Sequence, residues 1–150
     1  MSFRSSSVAS AVFAGLFAAA CHSTPSAPCP NTQAIVESVG KEHPEVARLT
    51  VHCVPPGGGA CCAVASTLAE KRGKVSDPED LEAMGTGKLV VLDEAGGVDV
   101  TVPVMQKGAR WEATVGVTFK PNPEMKKEQF VELATAIARV VEDRMVAMRK

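Results

Sequence analysis

No tyrosine occurs among the 150 residues, and one tryptophan and five phenylalanines make up the whole aromatic complement. Stacking platforms for single-stranded nucleic acid or sugar rings are hard to build from so small a stock. Neither sign of charge prevails: 16 basic and 17 acidic side chains leave a formal charge of −1, which gives nucleic acid no footprint to bind. The usual signatures of catalysis are missing too. The sequence has no H-E-x-x-H, no nucleophile elbow around Ser66 and no C-x-x-C spacing. Gly85-Thr86-Gly87-Lys88 fails as a phosphate loop, because that pattern wants Gly at position 82 and Ser or Thr at 89, where Glu82 and Leu89 stand. The chain is therefore expected to need no cofactor and no resident metal, and not to be an enzyme.

No apolar run is long enough to cross a bilayer comfortably; the longest, Val8–Ala20, is too short for a spanning helix. With Arg4 before it and Ala18-Ala19-Ala20 at its end, the run reads as an export signal occupying residues 1–20. His22–Asn31 holds Pro25, Pro28 and Pro30 among small polar residues, a composition suited to a tether. The remainder of the chain, residues 32–150, is the right size for one domain.

Leu16-Phe17-Ala18-Ala19-Ala20-Cys21 resembles the lipobox of bacterial lipoproteins. The resemblance implies that Cys21 is lipidated and that residues 21–31 are a lipidated cysteine plus tether. It also implies an exported protein anchored in the cell envelope, on a periplasmic or outer-membrane face, with the membrane as a partner through acyl chains rather than a spanning helix. Four further cysteines remain, Cys29, Cys53, Cys61 and Cys62, an even number in an exported chain, so two disulfides are expected. A bridge between the adjacent Cys61 and Cys62 would be strained, which leaves 29–61 with 53–62, or 29–62 with 53–61. The rival account is a soft-metal set of Cys53, Cys61, Cys62 and His52.

Periodicity supplies the fold class. Ile35, Val36 and Val39 recur at helical spacing between Thr32 and about Glu42, before Pro44. Leu49, Val51 and Cys53 alternate with polar neighbours, and after the Pro-Pro-Gly-Gly-Gly loop a second strand is expected within Ala60–Leu68. Ser76-Asp77-Pro78-Glu79 has the S-x-x-E form of a capping box, predicting a short helix to Met84 before Gly85, with Asp77, Glu79 and Asp80 as structural capping acids. Leu89–Leu92, Val98–Met105 and Arg110–Phe119 read as three meandering strands. Val98, Val100, Val102 and Val104, with Trp111, Ala113, Val115, Val117 and Phe119, form the core face. Asn122 is placed to cap a last helix starting at Pro123, whose apolar stripe runs from Phe130 to Met145. The expected class is α+β: a five-stranded antiparallel sheet of PAS-like order, flanked by an N-terminal and a long C-terminal helix.

Within Ile35–Phe119, the segments Val64-Ala65-Ser66-Thr67, Gly73-Lys74-Val75-Ser76-Asp77-Pro78-Glu79-Asp80-Leu81, Val100-Thr101-Val102-Pro103-Val104 and Ala113-Thr114-Val115-Gly116-Val117 succeed one another in an order that resembles a Cache-type extracytoplasmic sensor domain. That resemblance implies a small-molecule ligand held between sheet and helices, with Arg48, His52, Ser66, Thr67, Thr101, Arg110 and Trp111 as binding candidates. Taken alone, His52 reads most simply as a surface residue. The chain is expected to carry no output domain, so a separate signalling or envelope protein would complete the pathway. The alternative is a structural or protein-interaction lipoprotein that binds no small ligand.

Replacing Cys21 with Ser is expected to move the protein from the membrane to the soluble fraction. A Ser variant that stays membrane-bound, with no acylated N-terminal peptide in the wild type, would refute the anchor.

Overall fold

The computed structural model describes residues 32–54, 59–94 and 97–149. The lipobox, Cys21, the tether and Cys29 lie outside the described residues. Among the described residues, three helices and five strands run in the order α1 (Thr32–Glu42), β1 (Val46–Cys53), β2 (Cys62–Ser66), α2 (Pro78–Thr86), β3 (Val90–Glu94), β4 (Gly97–Lys107), β5 (Arg110–Phe119) and α3 (Lys127–Ala147), with a 3-10 turn at Ala69–Lys71. All strand pairings are antiparallel, and the sheet order is β2-β1-β5-β4-β3. The α+β class and the PAS-like sheet expected from the sequence are thus present. Among the described residues no helix is long and apolar enough to cross a membrane.

The sheet is covered on both sides, and its two faces differ in chemistry. On one face α1 and α3 press on Leu49, Val51, Val100, Val102, Val104, Val115, Val117 and Phe119, all essentially sealed from solvent. Alternation along each strand puts these apolar residues on one side. From α3, Phe130, Ala134, Ile137, Ala138, Val141 and Met145 close the core at helical spacing. The rings of Phe119 and Phe130 meet at a centroid distance of 5.1 Å, tilted by 49°. The other face is covered by α2, which packs on β5, β4 and β3.

Two helix starts differ from the sequence expectation. The cap of α2 is Asp77, not Ser76, and the capping box is closed by Asp80, whose carboxylate accepts the Asp77 N–H at 3.1 Å. Its C-terminus passes Gly85 and stops at Gly87, which takes a left-handed φ of 69° and donates its N–H to the Ala83 carbonyl. The last helix begins at Lys127, capped through Lys126 and Gln129. Asn122 instead turns the chain locally, its side chain accepting the Glu124 N–H at 3.0 Å.

No disulfide joins the described cysteines. Both expected connectivities required Cys53 to bridge to Cys61 or Cys62, and neither bridge is present. Cys53 and Cys62 face each other across β1 and β2, while the Cys61 sulfur accepts the Ser76 hydroxyl at 3.1 Å. Among the described residues no three His, Cys, Asp or Glu side chains converge as a metal-binding group.

Phe130→Ala is expected to cost about 3–5 kcal/mol, measured by urea denaturation, because the ring seals the contact between α3 and the sheet. A loss below about 1 kcal/mol would show that the α3 contact does not organise this core.

Candidate functional site

Every second residue of the central strands points under α2, and there the sequence is polar. Register places Arg48 opposite Thr118, Thr50 opposite Gly116 and His52 opposite Thr114; in the next pair, Asp99 faces Thr118 and Thr101 faces Gly116. A sheet face covered by a helix would ordinarily be apolar. Most of these polar side chains are instead partnered: Arg48, Asp99 and Thr118 with one another, Thr50 with Ser66, and His52 with Ser76 and Asp80. Asp99 is 5% exposed, accepts the Thr118 hydroxyl, and lies 3.5 Å from the Arg48 guanidinium, which also reaches Glu94 at 3.6 Å. Thr114 Oγ1 is buried and has no hydrogen-bond partner among the described residues.

His52 sits where the pairing of β1 with β2 slips by one residue between Val51 and His52. The slip is a β-bulge with Val64 as the extra residue, a device that re-aims neighbouring side chains. The imidazole is largely covered, 12% exposed, not on the surface as the sequence suggested: its Nδ1 lies 2.9 Å from Ser76 Oγ and 3.2 Å from Asp80 Oδ2. Ser76 in turn donates its hydroxyl to Cys61 Sγ. Asp80, Ser76 and Cys61 thus form a polar chain around one ring.

Burial sets the protonation of this group. It pushes the His52 imidazole down to about 4, against the pull of the Asp77 charge, and pushes the Asp80 carboxyl up to about 7, against the Asp77 N–H that favours the anion. Near neutral pH the imidazole is neutral and Asp80 is close to its midpoint. The pair therefore does not carry two opposed full charges.

A cavity of about 290 Å³ opens between this sheet face and the segment leading into α2. Arg48, Lys71 and Lys74 bring positive charge to its wall, and Asp77, Glu79, Asp80 and Asp99 bring carboxyl groups. Gly116 forms part of the lining, and a Cβ there would meet only the Thr50 carbonyl, at 4.0 Å. The missing side chain is therefore part of the opening.

The seven binding candidates separate. Arg48 and His52 line this cavity. Ser66 is on the same face but is spent on structure: its Oγ meets Thr50 Oγ1 at 2.9 Å, and its backbone exchanges two 3.0 Å hydrogen bonds with the Gln33 amide of α1. Thr67 accepts the Leu49 N–H at 3.0 Å, fastening the end of β2 to β1. Thr101 is buried beside Gly116. Arg110 and Trp111 lie elsewhere, at the open end of the sheet. Trp111 is accordingly only half-buried, not a member of the core stripe. Ser76, Asp80 and Asp99, which the sequence marks as caps or not at all, belong to the site. Their signal was the second polar register of the strands: Arg48, Thr50 and His52 in β1, and Thr114, Gly116 and Thr118 in β5.

No protein-family model matches the chain, and no curated protein matches it. Solved structures do resemble it in fold. The second GAF domain of DevS from Mycobacterium smegmatis superposes with a TM-score of 0.56 at 14% identity, covering 77% of this chain and 94% of that one. Free methionine-R-sulfoxide reductase from Neisseria meningitidis, solved with its substrate, gives 0.56 at 16% identity over 79% of this chain and 78% of that one. The type II free methionine-R-sulfoxide reductase from Thermoplasma acidophilum gives 0.51 at 13% identity, over 77% and 93%. The chain therefore has a GAF-like fold, in keeping with the PAS-like sheet expected from the sequence. The expectation that the chain is not an enzyme is corrected here, because reductases share this fold with GAF domains and the fold excludes neither role.

In the folded chain Asp80 keeps its proton up to about pH 7, whereas unfolded it ionises near 3.8. The folded state binds the extra proton in that window, so this group makes stability fall as pH rises through it. His52 acts in the opposite sense between about 4 and 6.5, where the unfolded chain is the one that binds the proton. Asp80→Asn removes only the first effect. The variant should gain on the wild type as pH rises from 4 to 8, by on the order of 4 kcal/mol, with a constant gap above that. Urea denaturation across that range measures the gap, and a gap independent of pH would remove the buried-carboxyl account.

Proposed function

We propose that the chain is an exported, lipid-anchored domain that binds a small zwitterionic metabolite of amino-acid size between the polar sheet face and α2, and passes the binding event to a separate envelope protein. The observation that carries this reading is the cavity lined by Arg48, Lys71 and Lys74 together with Asp77, Glu79 and Asp80. A wall of both signs complements a ligand with both signs: the cations suit a carboxylate and the carboxyl groups an ammonium. At about 290 Å³ the cavity is at the lower edge of the range for small-molecule sites, roughly 300–1,000 Å³, which favours a compact ligand. GAF domains among the fold neighbours and the lipobox-like sequence before Cys21 support the sensor and anchor parts of the reading.

A thermal-shift screen of amino acids, organic acids and amines tests it. A ligand at a hundred times its dissociation constant adds about 2.7 kcal/mol of stability. Gly116→Val supplies the decisive variant, because it fills the cavity without removing a charge and places a β-branched residue in a strand. It is expected to fold with undiminished stability and to abolish the shift. If no compound shifts the wild type, the structural-lipoprotein reading takes its place; if one does and Gly116→Val responds equally, the ligand is bound elsewhere.

A further inference from the structure

At the other end of the molecule, β1, the β4–β5 hairpin and the last turns of α2 and α3 come together around a second cavity, open to solvent and about 1120 Å³ in volume. We infer that this cavity binds a single-chain amphiphile whose apolar tail enters between α2 and α3 and whose anionic head group rests on Lys107, Arg110 and Arg149.

The interior is apolar and deformable. Met84 comes from α2, Met145 and Val146 from α3, Met105 and Trp111 from the hairpin strands, and Val64 is the bulge residue of β2. Methionines adapt to irregular apolar shapes, and three of them from three elements make a lining without a fixed template. Val54 and Val146, at 44% and 43% exposed, carry the apolar surface out to the rim. The volume slightly exceeds the usual span for small-molecule sites, roughly 300–1,000 Å³, and suits a long chain better than a compact metabolite.

The rim carries three cations, Lys107, Arg110 and Arg149. Lys107 and Arg149 share one carboxylate, Glu112, at 3.8 and 3.4 Å, and Arg110 has no ion-pair partner among the described residues. The other acid at the cavity, Glu142, is taken up by Arg139 and by the Met105 backbone N–H. Two backbone features hold the opening. Met105 takes a φ of 61°, rare for a side chain of its size, which turns its N–H from the strand ladder to Glu142 of α3. Gly87, also left-handed, lets the Trp111 indole lie against the end of α2, where a Cβ would collide with it. The tether His22–Asn31, polar and proline-rich, has nothing with which to fill such a lining.

Trp111 is the only tryptophan, so its emission reports on this cavity alone. The full chain is titrated with dodecanoate, dodecanol and dodecyltrimethylammonium below their micellar concentrations, and separately with phosphatidylglycerol vesicles. Dodecanoate is expected to give a saturable blue shift and to bind about tenfold more tightly than the other two. The double variant Arg110→Ala with Arg149→Ala should lose that preference while keeping the affinity for dodecanol. Val146→Glu, an exposed position whose replacement leaves the core intact, should weaken dodecanoate by about tenfold or more. A shift with dodecanoate and none with vesicles identifies a free single chain. A shift with vesicles alone makes this end a membrane-contact surface and overturns the cavity site. Absence of any shift, equal affinity for all three head groups, or a response unchanged by Val146→Glu also overturns it.

Discussion

The second face of the sheet, the one under α2, imposes the constraint that the rest of the molecule obeys. It is covered, so its side chains have lost most of their water, yet it carries Arg48, His52, Asp99 and Thr114 in place of a second apolar layer. Removing water from such groups costs several kcal/mol for each charge unless a partner replaces it. The partners come from different elements: Asp99 of β4 for Arg48 of β1, Thr118 of β5 for Asp99, and Ser76 and Asp80 before and within α2 for His52. Any slip in sheet register or in the seat of α2 would leave a buried charge alone. The same requirement couples the helix cap to the site, because the Asp80 carboxylate that closes the capping box is also the one beside the imidazole.

Much of the fold was legible because it rests on periodicity. The helical spacing of Ile35, Val36 and Val39 gave α1 its observed limits, and the valine alternation in β4 and β5 gave the core face, since burial against α1 and α3 is what that alternation encodes. Local chemistry was less reliable where two readings compete. Ser76 and Asp77 both cap helices well, and the contest went to Asp77 because the Ser76 hydroxyl is drawn to His52 and Cys61, contacts that are distant in sequence. Asn122-Pro123 has the form of a helix start, but the favourable turn at Asn122 and the capping box at Lys126 and Gln129 delay α3. The burial of His52 was illegible from β1 alone, because it depends on which segment crosses over that face.

The candidate site was half legible for the same reason. Arg48 and His52 stand out as polar residues on a strand, but Ser66 and Thr67, equally polar and equally placed, are consumed by ties to α1 and β1. No property of a serine or threonine in sequence separates one that faces a ligand from one that satisfies a neighbouring backbone group. Arg110 and Trp111 grouped with them because adjacency to a turn was visible and the end of the sheet they occupy was not. The fold neighbours narrow the architecture to the GAF-like type and leave the chemistry to the residues themselves.

Both cavities exist where the sequence departs from a local rule. Gly116 stands in the middle of a central strand, a position at which glycine ordinarily weakens the sheet, and its lack of a side chain opens the charged cavity. Met105 holds a backbone conformation that costs on the order of 1 kcal/mol or more, and Glu142 from α3 is there to accept the N–H it releases. A chain optimised for stability alone would replace the first with a β-branched residue and let the second pair in its ladder. Both departures sit at the wall of a cavity and have a compensating partner or a cleared space. That coincidence is the reason to read the cavities as built features, since a packing defect would have neither.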